Sequence, residues 1–205
     1  MTAEPNATPP VLAAGNWIWL LGPARQDRAL VIAPAGSGLA GAIGPHFQEV
    51  VRLSPNGPAA GASEATLDFV AIDALEECAD GDANWLPRVL ADVRPRLRPG
   101  GCLLLTFSNP FWGRRLVGFW YPGRYARRRK VRRVLAGAGF GRMDAYFLQP
   151  FPAPASSIIP DWPHAAHHHE QVQHIRSRMG RLRPLIARLG AQALLYPGCA
   201  YVAYA

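Results

Sequence analysis

The chain has 205 residues, of which 49% are hydrophobic and 18% charged; this supplies a sizeable core for one domain and excludes disorder of the whole chain. Lysine and arginine outnumber aspartate and glutamate 22 to 14, giving a formal charge of +8 and a pI near 10.1, a balance that suits an anionic partner without specifying one. The longest apolar runs, residues 16–22 and 102–107, are far shorter than the roughly 18 residues needed to cross a bilayer, and no secretory signal pattern opens the chain, so a cytoplasmic protein, soluble or peripheral to the membrane, is expected.

Residues 1–14 are rich in Ala, Pro and Thr and read as a flexible leader, with residues 15–205 forming one domain. RALVIA at 28–33 reads as a short buried strand. A turn with glycines at 36 and 38 leads into an expected helix at 39–46. EVVRL at 49–53 is a second strand, closed by the turn residues Ser54, Pro55, Asn56 and Gly57. LDFVAI at 67–72 is a third. Apolar positions 86, 89, 90, 93 and 97 recur at helical spacing, and Arg98-Pro99-Gly100-Gly101 is expected to stop that helix. CLLLTF at 102–107 is continuous apolar sequence, as in a strand buried on both faces. A helix at about 125–138 and a strand at 142–148 come next, then a proline-dense extended loop over 149–163. A helical stretch over about 165–189 and a last strand at about 199–204 complete the chain. Strands alternating with helices imply an α/β three-layer sandwich on a mostly parallel sheet.

A strand, a glycine-bearing turn and a helix together bring a polar or anionic ligand close to backbone amides. Here the unit runs from Leu30 to Gly38. The order of the later segments matters more than the turn alone: a strand ending at Ser54, then LDFVAIDALEE (67–77), then a helix leading to LRPGGCLLLTF (97–107). This succession resembles the class I S-adenosylmethionine-dependent methyltransferase family, a Rossmann-like fold, with Leu-Arg-Pro-Gly-Gly the most specific match. The Ala-Gly-Phe turn and proline-rich loop within residues 134–160 are similar to that family as well.

The resemblance implies a cofactor, S-adenosylmethionine, lined by Ala33, Ala35, Gly36, Gly38 and Ser54, with Ile72 and Asp73 at the next strand edge. It implies a methyltransferase acting on a small-molecule or lipid-like acceptor; the alternative is an inactive scaffold or accessory subunit of the same fold. The chain departs from the family pattern at several positions. Ile32 stands where an acid is usual, and Pro34, which has no amide donor, replaces the first glycine. Ser54 replaces the ribose-binding acid, and a neutral hydroxyl lacks its charge-assisted pairing. Leu75-Glu76-Glu77 replaces the frequent Leu-Glu-His. Only twelve residues, 55–66, separate the second strand from the third, so one strand-helix unit is expected to be missing after strand two.

Residues 124–133 hold seven basic side chains in ten, preceded by Phe111, Trp112, Phe119, Trp120 and Tyr121. The stretch Phe111–Arg133 suits an anionic membrane surface or a protein partner, and RNA less well; a solvated helix face with Val131, Val134 and Leu135 beneath it is the plainer alternative. His164, His167, His168, His169, Glu170 and His174 lack a metal-binding order such as H-E-x-x-H, so no metal is expected. His164 and His167 are candidate general bases. Cys78, Cys102 and Cys199 sit in apolar contexts and read as reduced core thiols.

Overall fold

A computed structural model of the chain describes residues 26–55, 66–109, 128–149, 157–161, 185, 186, 188, 189, 191 and 195–205. The elements are β1 (Arg28–Ile32), α1 (Leu39–Ile43), β2 (Glu49–Leu53), β3 (Leu67–Ile72), α2 (Leu75–Ala79), α3 (Trp85–Val93), β4 (Leu97–Ser108), α4 (Arg128–Gly137), β5 (Arg142–Gln149), β6 (Ser157–Pro160) and β7 (Gly198–Tyr204). They build one seven-stranded sheet in the order β2-β1-β3-β4-β7-β5-β6. Strands β1 to β4 pair in parallel. Because β7 is antiparallel to both β4 and β5, β5 shares the direction of β1 to β4, and only β6 and β7 oppose it.

Alternation along the strands divides the core between two faces. Leu30 and Ile32 of β1, Val70 and Ile72 of β3, and Leu103, Leu105 and Phe107 of β4 point to one face, which α2, α3 and α4 cover with Leu75, Leu86, Leu90, Val131 and Leu135. Val31, Phe69, Ala71 and Leu104 point to the other, where α1 contributes Leu39, Ala40 and Ile43. These are the helix layers of the expected three-layer sandwich. Strand β3 is buried over its full length, which accounts for its near-continuous apolar sequence.

Several boundaries differ from the sequence reading. The helix expected at 39–46 ends at Ile43, and Gly44–His46 tightens into a 3-10 turn containing Pro45. Helix α3 ends at Val93, with a 3-10 turn at Arg94–Arg96, so Leu97 already belongs to β4. Leu-Arg-Pro-Gly-Gly therefore opens a strand as well as stopping a helix. Its pairing with β3 jumps from Leu67–Leu97 to Phe69–Cys102, an irregularity that bulges β4. Gly100 takes φ +80°, and a Cβ on Gly101 would meet the carbonyl oxygens of Arg98, Asp68 and Leu67 at 3.0, 3.1 and 3.3 Å. The segment over 149–163 is not all loop: β5 runs to Gln149, and Ser157–Pro160 pairs with it as the edge strand β6, a position that tolerates Pro160. Helix α2 was not apparent in the sequence. The leader and residues 162–184 lie outside the described residues.

The amino ends of the strands are tied by one buried carboxylate. Asp68, 6% exposed, accepts the Asp27 and Arg28 amides at 3.0 and 2.9 Å and Arg98 Nη1 at 2.8 Å. This tie joins β1, β3 and the β4 bulge at the edge opposite the turn at 33–38. Asp68→Ala leaves two half-buried amides without their acceptor, while Arg98 keeps Thr66 and Asp27, and we expect a loss of about 2 kcal/mol, read as a lower urea midpoint at unchanged slope; an unaltered midpoint would refute the role of this tie.

Candidate functional site

At the carboxyl edge, β1 is flanked by β2 on one side and β3 on the other. The chain leaves β1 toward α1 on one sheet face and leaves β3 toward α2 on the other. Such a reversal of strand order opens a crevice outside the strand ends, the usual ligand position in a wound α/β sheet.

The turn after β1 forms one lip. The Ser37 amide donates to Pro34 O at 3.2 Å, which makes Ala35 and Gly36 the central residues of a four-residue turn. Gly36 takes φ +91°, the left-handed value that a type II turn needs at its third position. Among the described residues nothing lies within 4 Å of a Cβ built on Gly36. Ala35, Gly36 and Gly38 are exposed and Ala33 is half-buried. Gly38 precedes α1 at an ordinary φ of −76°. A five-residue helix carries little macrodipole, so exposed backbone rather than a helix terminus defines this lip.

The other lip is the end of β3. The Asp73 amide donates to Ile32 O at 2.9 Å, and the Ala33 amide donates to Leu53 O at 3.3 Å, so the ends of β1, β2 and β3 meet here. Ser54, exposed, closes β2. The side chain of Ile72 is fully buried in the core; alternation aims it at the helix layer, and only its backbone reaches the edge. Asp73 is half-buried and accepts Ser37 Oγ–H at 2.6 Å and Thr106 Oγ1–H at 2.5 Å. Thr106, on β4, also accepts the Ala74 amide at 2.9 Å. Glu76 accepts the Ser108 amide at 2.9 Å, linking α2 to the end of β4.

All seven expected residues lie at or just beyond the carboxyl ends of β1, β2 and β3, and the side chain of Ile72 is turned into the core. Ser37 and Thr106 were missed by sequence reasoning. Thr106 did leave a signal, being the one polar residue in CLLLTF. His164 and His167 lie outside the described residues, as do residues 111–127 of the aromatic and basic stretch. The described part of that stretch is α4, where Val131 and Leu135 are buried and Arg129, Lys130, Arg132 and Arg133 are exposed. Arg128 is held inside, paired with Asp161 and stacked 4.9 Å from the centre of the Phe147 ring. Among the described residues no cluster of three or more His, Cys, Asp or Glu could hold a metal ion, and no helix is long and apolar enough to cross a membrane.

No family model matches the sequence, and no curated protein matches it. Solved structures do. A SAM-dependent methyltransferase from Archaeoglobus fulgidus aligns over 95% of this chain and 93% of its own at 14% identity, with a TM-score of 0.58. The fold is that of the class I S-adenosylmethionine-dependent methyltransferases. Similar too are the cyclopropane synthase MmaA2 of Mycobacterium tuberculosis, at 13% identity over 94% of this chain and 83% of its own, TM-score 0.51, and phosphoethanolamine N-methyltransferase 2 of Haemonchus contortus with S-adenosyl-L-methionine, at 11% identity over 93% and 51%, TM-score 0.53. Within the methyltransferase fold, the sheet of this chain ends at β2 on the side of the crevice. Among the described residues no strand lies beyond it, in keeping with the short connection over 55–66.

The three cysteines are unbridged and buried. Burial pushes the Cys78, Cys102 and Cys199 thiols up to about 12, with the Asp73 charge adding to the shift at Cys78. Protonated, buried thiols are poor nucleophiles. Because the folded state holds these protons more tightly than the unfolded chain, stability is complete below about pH 9 and declines as pH rises toward about 12. We expect a thiol reagent at pH 8 to label none of the three before unfolding, and the urea midpoint to fall across that alkaline window; prompt labelling or a flat midpoint would contradict this.

Proposed function

We propose that the chain is an S-adenosylmethionine-dependent methyltransferase whose cofactor occupies the crevice between the turn at 33–38 and Asp73. The observation that carries this reading is the meeting of an open, left-handed glycine backbone and a carboxylate at the strand-order reversal of a methyltransferase fold. The residues present fit the group. The open space at Gly36 admits close approach to backbone, and the Asp73 carboxylate suits the positive charge of a sulfonium or an α-amino group.

When bound, S-adenosylmethionine supplies a methyl group made electrophilic by the sulfonium. Residues Ala33, Ala35, Gly36 and Gly38 would line it with backbone, and Ser54 would offer a hydroxyl toward the ribose where the related enzymes have an acid. Losing that charge-assisted pairing costs about 1–3 kcal/mol, so the affinity expected is micromolar rather than tighter. Holding an acceptor in line with the methyl does most of the catalytic work for an acceptor that is already nucleophilic. An acid-base residue is then secondary, and His164 or His167 would serve where the acceptor must lose a proton.

We propose a small-molecule or lipid-like acceptor. The aromatic residues between Phe111 and Tyr121 support it, as does the phosphoethanolamine methyltransferase among the structural neighbours. The exposed cations Arg129, Lys130, Arg132 and Arg133 of α4 suit an anionic surface.

Calorimetric titration of the purified chain with S-adenosylmethionine and S-adenosylhomocysteine tests the reading. Micromolar binding is expected, with Gly36→Asp abolishing it, because an L-residue strains the turn and its carboxylate enters the open space. Absence of heat at millimolar ligand would leave the inactive scaffold as the reading of this fold.

A further inference from the structure

The carboxylate of Asp73 is bonded by two hydroxyls whose directions are both fixed. Ser37 Oγ accepts the Leu39 amide at 3.2 Å and Thr106 Oγ1 accepts the Ala74 amide at 2.9 Å. A hydroxyl has one proton. With its oxygen occupied by an amide donor, each hydroxyl directs that proton to Asp73: Ser37 to Oδ2 at 2.6 Å, Thr106 to Oδ1 at 2.5 Å. The two oxygens of a carboxylate offer about four acceptor sites. Among the described residues two are used, by Ser37 and Thr106, and a carboxylate so held can still accept from a cation or N–H donor of a ligand.

Thr106 does more in this arrangement than satisfy one buried group. It is 1% exposed, near the carboxyl end of the buried length of β4, and its proton goes to the half-buried side chain of Asp73 at the crevice rim. Its oxygen meanwhile holds Ala74, whose φ of +50° is left-handed. A residue with a Cβ keeps such a conformation only where its surroundings over-determine it. Here the Ala74 carbonyl also accepts the Glu77 and Cys78 amides at 2.9 and 3.1 Å, and the Cys78 thiol donates to Asp73 O at 3.0 Å. The kink at Asp73 and Ala74 is thereby pinned from β4 and from the first turn of α2. Ser37 ties the same carboxylate to the glycine turn.

We infer that Thr106 is a positioning residue which, with Ser37, aims the Asp73 carboxylate at the cationic end of the crevice ligand. The inference rests on the methyl-transfer reading for the identity of that ligand. It rests on geometry alone for the hold on Asp73 and Ala74. Valine is close to threonine in shape but neither donates nor accepts, whereas serine keeps the hydroxyl and gives up a methyl group.

The test compares the full-length wild type with Thr106→Val, Thr106→Ser and Ser37→Ala, by calorimetry with S-adenosylmethionine and by hydrogen exchange at the Ala74 amide. Thr106→Val is expected to weaken binding about tenfold and to speed Ala74 exchange by a similar factor, the effect of one lost hydrogen bond. Thr106→Ser is expected to stay within about threefold of the wild type in both readouts, on the same scale. Equal affinity of Thr106→Val and wild type overturns the inference. So does an equal loss in Thr106→Val and Thr106→Ser, which would mark a packing role. Ser37→Ala, outside the core, replaces the valine variant should that one not fold, and unchanged affinity there also counts against the inference. If the wild type gives no heat, the methyl-transfer reading falls by itself. Exchange then decides the positioning role: faster Ala74 exchange in Thr106→Val alone upholds it, and exchange equal to wild type overturns it.

Discussion

The reversal of strand order at β1 is the constraint from which the site arises. With β2 on one side of β1 and β3 on the other, the connections at the carboxyl edge leave toward opposite faces of the sheet, and the space between them stays open. In this chain the opening is bridged at one point, where Ser37 from the first connection bonds Asp73 from the second. That contact ties the position of the glycine turn to β3, and Thr106 extends the tie to β4. At the other edge Asp68 performs the corresponding task with backbone amides and Arg98. The two carboxylates hold the central strands at both ends.

Much of this architecture was legible in the sequence, because buried parallel strands impose apolar runs. LDFVAI and EVVRL begin and end in the structure where the sequence places them, and CLLLTF forms the buried length of β4. The short connection after β2 was legible as a chain-length argument, and among the described residues no strand lies beyond β2. Boundaries set by tertiary packing were not. The start of β4 at Leu97 depends on a bulge against β3 that no periodicity encodes, and β6 pairs across a proline-rich segment because an edge strand leaves one side of its backbone free.

The place of the expected residues on the sheet was legible, and their hydrogen-bond partners were less so. The glycine-bearing turn after β1 was expected without its left-handed φ at Gly36, and Asp73 came from the resemblance to the family. The hydroxyl partners of Asp73 lie 36 residues before it and 33 after it, a separation that only the folded sheet brings together. Ile72 shows the converse, since proximity along the chain to Asp73 does not expose a side chain that alternation turns into the core. Relative to the family pattern, Ile32, Pro34 and Ser54 lack charge and one amide at the ends of β1 and β2, while the Asp73 carboxylate after β3 is held by two hydroxyls. These strand ends are therefore asymmetric, depleted after β1 and β2 and reinforced after β3.

That asymmetry is most directly measured by mapping amide hydrogen exchange across the whole chain with and without saturating S-adenosylhomocysteine. Slowed exchange is predicted to concentrate in residues 33–39 and 72–78, with little change at the amino edge around Asp27, Asp68 and Arg98. Protection centred elsewhere in the sheet, or none at either lip of the crevice, would contradict this account of the site.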